Sequence, residues 1–500
     1  MPIPNDSQTA SSQVQNPTPT VRGPSAFRIV LERWVIQELR ESRLRLGKFW
    51  DRRNFQRHFF LLLGFGLAIR FFLMPITGEA DTTVFSDMAL TMAYGGGPYT
   101  YLSVYPPFWP MILNLDVRAL GLVFPLREVL RTSPQLLQMS LQFGYVVQPY
   151  LPSPQYLFVE KVPIVVFDLL TSFFLYRIIL EWTASRELAT RAFVLWWLNP
   201  LVIAESAIHG AYDTLPAFFL LGSLYLLQRE RYLMSGLALG LGTFLKEFPL
   251  FITPFILVYV VTRSPRAWRK KAQNLFFVAL GFVGLTVLAL LPNTFFQHDL
   301  TNVINSSYIG DTSFGGFGIW GALYFPYMGP VQTWVFDHTQ MMITILTISA
   351  IALSLFVTVL YYRARSPDLT ERQTLWTIIL LISAAYLPAS VLQPQYLLWM
   401  LPWIILLLLR YREGWVAFLV LSSVPVVLYL LGVGGPTYFL ASTALFWGAP
   451  SLSWISVQMQ YWYQQLPLLL EVAFLPTFVT TLYLWGQGFH RLWVRPRETV

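Results

Sequence analysis

MMITILTISAIALSLFVTVLYY, residues 341–362, runs for 22 positions without a charged side chain. As a helix rising about 1.5 Å per residue it is about 33 Å long, enough to cross the hydrocarbon core of a bilayer. Eleven further apolar blocks flank it, near 58–77, 159–180, 190–208, 214–228, 232–246, 249–262, 274–292, 373–392, 396–410, 414–433 and 466–487. Those at 214–228, 232–246, 249–262 and 396–410 are noticeably short. The pattern predicts an all-α polytopic membrane protein, a bundle of about 12 transmembrane helices with a large first outer loop.

Composition agrees. The 500 residues are 55% hydrophobic and 16% aromatic but only 12% charged, against about a quarter charged in soluble domains. The formal charge of +8 does not point to nucleic acid, because the basic residues cluster at the ends of apolar segments, as membrane-surface charge does. With no cysteine, disulfides, thiol catalysis and cysteine-ligated metals are excluded.

Of the 34 Lys and Arg, 28 fall on one face when the segments are threaded back and forth. Basic residues are retained on the cytoplasmic side, so both termini are expected there. Residues 1–25 read as a disordered tail and 26–57 as a basic interfacial helix. A core of 58–410 follows, with outer loops 78–158 and 293–340, and then C-terminal helices in 411–500 with outer loop 434–465. Within the first loop, the apolar run 106–124 suits a re-entrant or interfacial helix, or else a further crossing. The glycine-rich stretch Asn302–Trp320 suits a gate over a site.

The unusual polar groups gather on the outer face. Glu79, Asp81 and Asp87 place three carboxylates within nine residues just beyond the first span. Such groups can take a proton from an acceptor hydroxyl or hold a divalent cation, Mg or Mn, against a phosphate; a solvated loop with N-cap aspartates is the plainer alternative. Arg70 lies inside the first span, about seven residues from its outer end, where it can meet Asp81, a substrate phosphate or the interface. Asp168, in the second span, reads as a helix-packing partner, and Glu205 lies in the third. His209 and Asp213 stand four apart and share a face if the helix continues, a spacing that suits a metal pair, a substrate clamp or a capping turn. Lys246 is the lone cation at the break Lys246-Glu247-Phe248-Pro249, suited to a phosphate or to pairing with Glu247. Gln393 and Gln395 bring two amides to another break, suited to sugar hydroxyls or to a turn.

In order along the chain, GEADTTVFSDMA, GGGPYTYLSVYPP, FDLLTSFFLYRI, WWLNPLV, KEFPL and QPQYLLW resemble landmarks of membrane glycosyltransferases with the GT-C fold. Within that group they resemble the mannosyltransferases that add the first mannose to glycosylphosphatidylinositol precursors, and their prokaryotic relatives. The resemblance runs discontinuously from Arg70 to Trp399. It implies a polyprenyl- or dolichyl-phosphate sugar donor, a lipid or glycan acceptor, and inversion by single displacement at the outer face. Asp81 matches the second acid of the family's acidic pair and Asp87 an acid six residues later; the first acid is Glu79 here. An insertion between Pro107 and Glu160 also departs from the family.

On this reading Asp81 is the catalytic base, and Lys246 and Arg70 bind the donor phosphate. Glu79, Asp87, His209, Asp213, Gln393 and Gln395 are substrate- or metal-binding candidates. A carrier or flippase of lipid-linked sugars is the alternative, and would be favoured by inverted repeats; none is evident. With no retention signal, the expected location is a cell membrane, or the endoplasmic reticulum membrane in a eukaryotic cell.

Overall fold

Prolines and caps decide where the helices of this protein start and stop. The computed structural model describes residues 52–78, 80–96, 106, 108–132, 150–246, 248–264, 267–297, 315–316, 329–364, 371–387, 391–392, 394–431 and 467–493. The chain divides into two units, Met1–Phe60 and Leu61–Val500. Of the first, only the opening turns of helix α1 (Arg52–Leu73) are described. The tail 1–25, most of the expected interfacial helix 26–57, the loop 434–465 and, except for Gly315-Gly316, the stretch Asn302–Trp320 lie outside the described residues.

In the second unit, α2 (Ala80–Ala93) and α3 (Phe108–Gly121) lie within the segment 78–158. At 14 residues α3 reaches about 21 Å, less than the hydrocarbon core, so it is not a full crossing by itself. It buries Trp109, Leu113, Val117 and Leu120 in a cluster with Phe85, Met88, Tyr156 and Tyr212. Its opposite face leaves Met111 and Leu115 exposed.

A short antiparallel pair, β1 (Leu130–Thr132) with β2 (Tyr150–Pro152), leads into α4 (Pro154–Thr183). The start of α4 is fixed by Ser153, whose hydroxyl accepts from the Tyr156 N–H, and by Pro154, whose missing N–H costs nothing at the first helical position. After α5 (Arg186–Trp197) the chain breaks at Asn199-Pro200. Asn199 Oδ1 caps the N–H groups of Leu201 and Val202, while its Nδ2 donates to Ser422 at 2.7 Å. A single turn, α6 (Pro200–Ile203), widens into a π-helix, Ala204–His209.

Helices α7 (Thr214–Gln228), α8 (Tyr232–Leu245), α9 (Thr253–Arg263) and α10 (Trp268–Gln297) follow. A Cβ on Gly236 would lie 2.1 Å from the Val278 carbonyl and one on Gly281 2.3 Å from the Leu233 carbonyl, so α8 and α10 touch backbone to backbone. The remainder is α11 (Gly329–Asp337), α12 (Thr339–Ala364), α13 (Glu371–Tyr386), α14 (Leu401–Tyr411), α15 (Trp415–Leu431) and α16 (Pro467–Trp493), with a two-residue parallel pairing of Gly315-Gly316 against Val391-Leu392. Glu413, in the turn between α14 and α15, accepts from Arg372 and Trp376 of α13 and from Arg491 of α16, tying those two helices to the turn.

The helical membrane architecture is as the sequence reads, but helix length does not carry the count of twelve. Among the described residues three helices are long and apolar enough to cross: Pro154–Thr183, Trp268–Leu288 and Met341–Arg363. The pair Arg186–Trp197 and Pro200–His209, bent by 44°, makes a fourth when taken as one span. Six other apolar helices are shorter, among them Thr214–Gln228, Tyr232–Leu245 and Leu401–Tyr411. Breaks at Pro200, Pro249 and Pro394 cut the apolar sequence into pieces shorter than a bilayer.

Candidate functional site

Asp81 lies in the first turn of α2, where a carboxylate complements the helix N-terminus. Its Oδ2 is 3.3 Å from Nε2 of His209, the last residue of the π-helix. The other ring nitrogen, Nδ1, is 3.1 Å from Glu205 Oε2. The imidazole is thus held between two carboxylates, an arrangement in which a protonated ring donates from both nitrogens. His209 is 4% exposed and Glu205 fully buried, whereas the Asp81 side chain is 36% exposed. Asp81 is therefore the member of the chain that an incoming molecule can reach. Burial pushes its carboxyl upward, but the hydrogen bond from His209 and the charges of His209 and Lys246 outweigh this and hold it below the usual carboxylate range.

The π-helix ends at Gly210, in the left-handed region at φ +85°, and the N–H groups of Gly210 and Ala211 both donate to the Glu205 carbonyl. A Cβ at position 210 would lie 2.9 Å from Thr82 Cγ2 and 3.1 Å from Lys161 Cε, so glycine is needed for space as well as backbone conformation. This turn separates His209 from Asp213. The shared face expected of the two does not form: His209 faces Asp81, and Asp213 faces Lys246.

Lys246 Nζ is 2.9 Å from both oxygens of Asp213, whose Oδ1 also accepts from Trp399 Nε1 at 2.7 Å. The ammonium lies over three rings, 4.6 Å from the centre of Tyr396, 5.3 Å from Tyr212 and 5.7 Å from Trp399. Trp399 stacks between Tyr396 and Phe248, with centroids 4.5 and 4.0 Å away. Tyr212 stacks on Trp109 of α3 at 4.4 Å, so α3 and the breaks after α8 and before α14 meet around this lysine. Lys246 keeps 12% exposure while Asp213 keeps 1%.

Arg70 is elsewhere. Fully buried, it pairs with Asp168 at 3.1 Å, donates to the Trp197 carbonyl at 2.9 Å and stacks 3.9 Å over the Trp197 ring. It neither snorkels nor meets Asp81. Burial on both sides makes the pair a structural junction between α1, α4 and α5, since either charge alone would be strongly unfavourable there. Asp87 is exposed and makes no ion pair among the described residues; six residues beyond Asp81 on a helix, it points about 120° away from it. Gln395 is buried in the turn Pro394–Trp399 beside the lysine cage. Glu79, Gln393 and Glu247 lie outside the described residues.

Among the described residues no three His, Asp or Glu side chains come together in a way that could hold a metal ion. Glu79, the first acid of the expected set, lies outside the described residues.

Two groups at the site carry little sequence signal. Glu160 and Lys161 are both fully buried near the start of α4. Neither Glu160 oxygen has a hydrogen-bond partner among the described residues, and its Oε1 would lie 3.6 Å from a Cβ on Gly210. Their one mark in the sequence is an adjacent charged pair opening an apolar run.

The sequence model of glycosyltransferase family 87 matches residues 150–388, a little under half of the chain. The chain is 27% identical over 188 residues to GPI mannosyltransferase 1 of Kluyveromyces lactis, covering 37% of this chain and 42% of that protein. It is 29% identical over 122 residues to GPI mannosyltransferase 1 of Candida albicans, covering 23% and 30%. For the Saccharomyces cerevisiae protein of the same name the figures are 28% over 131 residues, covering 26% and 31%. These matches span less than half the length of each relative. The family match falls inside the stretch from Arg70 to Trp399 that carries the sequence landmarks, so the chain resembles the membrane glycosyltransferases, mannosyltransferases among them.

Proposed function

We propose that this protein is an inverting membrane glycosyltransferase that moves a hexose, mannose, from a polyprenyl- or dolichyl-phosphate carrier to an acceptor hydroxyl at the outer face of the membrane. One observation carries the reading: Asp81 is a partly exposed carboxylate backed by His209 and Glu205, beside a lysine in an aromatic cage. The likeness to GPI mannosyltransferase 1 supports the sugar.

The acceptor oxygen attacks the anomeric carbon from the side opposite the phosphate as Asp81 takes its proton. The bond between that carbon and the phosphate oxygen breaks, and the lipid phosphate leaves with the electron pair. His209 fixes the Asp81 carboxylate and keeps it ionised. Lys246, set by Asp213 and the rings of Tyr396, Tyr212 and Trp399, meets the charge that grows on the departing phosphate. Arg70, bound to Asp168, takes no part in phosphate contact. Gln395, with Gln393, reads sugar hydroxyls, and Glu79 binds the acceptor; Asp87, turned to another face of α2, takes no part in the step. In this reading the short apolar helices cross in pieces to make about twelve passes, a GT-C-like bundle with both termini cytoplasmic.

The test supplies purified protein with radiolabelled polyprenyl-phosphate mannose, polyprenyl-phosphate glucose and extracted native lipids. Mannose transfer to lipid is expected. Movement of the donor between leaflets without transfer would replace the enzyme with a carrier.

A further inference from the structure

Lys161 is a buried cation that the mechanism above leaves unused. Its Nζ lies 2.6 Å from the Thr77 carbonyl, 3.0 Å from that of Ile208, 3.1 Å from that of Ala207, 3.3 Å from that of Met74 and 3.3 Å from Thr77 Oγ1. An ammonium has three N–H bonds to share among these oxygens, which stand where water would otherwise solvate it.

The acceptors come from two segments. Met74 and Thr77 lie in the turn that follows α1 and leads to Asp81; Ala207 and Ile208 lie in the π-helix just before His209. Thr77 Oγ1 also lies 2.9 Å from the Ala207 carbonyl and 2.7 Å from that of Leu73, with one proton to share between them, so the hydroxyl bridges the end of α1 and the π-helix. The lysine stem passes under Gly210, the residue after His209.

We propose that Lys161 is a positioning residue, which sets the contact between Asp81 and His209 by holding the turn at 74–77 to the π-helix. This rests on the glycosyltransferase reading, in which that contact keeps the base ionised and aimed. The arrangement resembles a cation site occupied by a tethered ammonium, anchored on α4, whose start is itself fixed by Ser153 and Pro154. The charged groups around Asp81 are His209 and Glu205 on the π-helix, Lys246 after α8, and Glu160 and Lys161 on α4, with Asp116 on α3 next to Glu160. Asp87 on the base's own helix is exposed, and Glu79 before it lies outside the described residues.

The test is steady-state transfer from polyprenyl-phosphate mannose to extracted native lipids, across pH, with Lys161→Met and Thr77→Val in the full chain. Lys161→Met keeps the volume and removes the charge; Thr77→Val removes only the bridging hydroxyl and serves if the first variant does not fold. Loosening the contact lowers kcat by about 10- to 100-fold, leaves both KM values within about twofold, and moves the acid limb of the pH profile upward as the Asp81 carboxyl loses His209. A folded Lys161→Met protein with wild-type kcat and acid limb overturns the inference, as does Thr77→Val with no shift when Lys161→Met fails to fold. A changed KM with an unmoved limb likewise overturns it and leaves the glycosyltransferase reading intact. If the wild type transfers nothing, that reading fails first.

Discussion

Asp81 and His209, 128 residues apart in sequence, meet with Oδ2 3.3 Å from Nε2, and the same ring reaches Glu205 from its other side. The contact has a measurable consequence for pH dependence. Asp81 must be ionised to accept a proton, and its carboxyl is held below the usual range by His209 and Lys246 against the effect of burial. Transfer should therefore persist to lower pH than an ordinary carboxylate base would allow. His209→Gln removes the ring and its charge, so the acid limb of kcat against pH should move upward; an unmoved limb would separate His209 from the base.

Lys246 and Asp213 give a second prediction. With Lys246→Met, the leaving phosphate loses its facing charge, and donor turnover should fall by about 10²- to 10³-fold, the scale for removing one preorganised group that meets developing charge. Asp213→Asn should weaken the donor less, because the rings of Tyr396, Tyr212 and Trp399 still surround the lysine. Kinetics with varied donor concentration check both, and equal effects in the two variants would mean that Lys246 serves Asp213 and not the substrate.

The Arg70–Asp168 pair predicts stability instead of activity. Both side chains are fully buried and 3.1 Å apart. Asp168→Leu alone leaves an uncompensated guanidinium and should destabilise the protein by about 3–5 kcal/mol. Replacing both, Arg70→Met with Asp168→Leu, should recover much of that loss, since hydrophobic substitutes for a buried pair are often neutral. Thermal melts in detergent measure the difference. Equal loss in the single and double variants would show that the pair acts through its other bonds, such as that from Arg70 to the Trp197 carbonyl.

Much of this was legible in the chain. Apolar blocks gave the helical membrane architecture, and the carboxylates after the first span, with the breaks at His209, Lys246 and Gln395, marked the ends where polar chemistry gathers. Pairing was not legible, because it depends on how helices pack across long separations. His209 and Asp213 have helical spacing, yet one left-handed residue, Gly210, turns them to different partners. Arg70 looked like a phosphate ligand because a lone guanidinium in an apolar span is unfavourable; its partner, Asp168, lies 98 residues away in another span with the opposite problem. Lys161 was hidden for a different reason: among the described residues four of its five acceptors are backbone carbonyls, and carbonyls leave no mark in a sequence.

The most direct measurement is transfer of radiolabelled mannose from polyprenyl-phosphate mannose to extracted native lipids by wild type and by Asp81→Asn, with donor binding measured in parallel. The amide keeps the shape of the carboxylate but cannot take the proton, so transfer should fall by about 10²- to 10⁴-fold while donor affinity stays near that of the wild type. Transfer by Asp81→Asn at the wild-type rate would contradict Asp81 as the base and with it the catalytic role of the Asp81–His209–Glu205 chain.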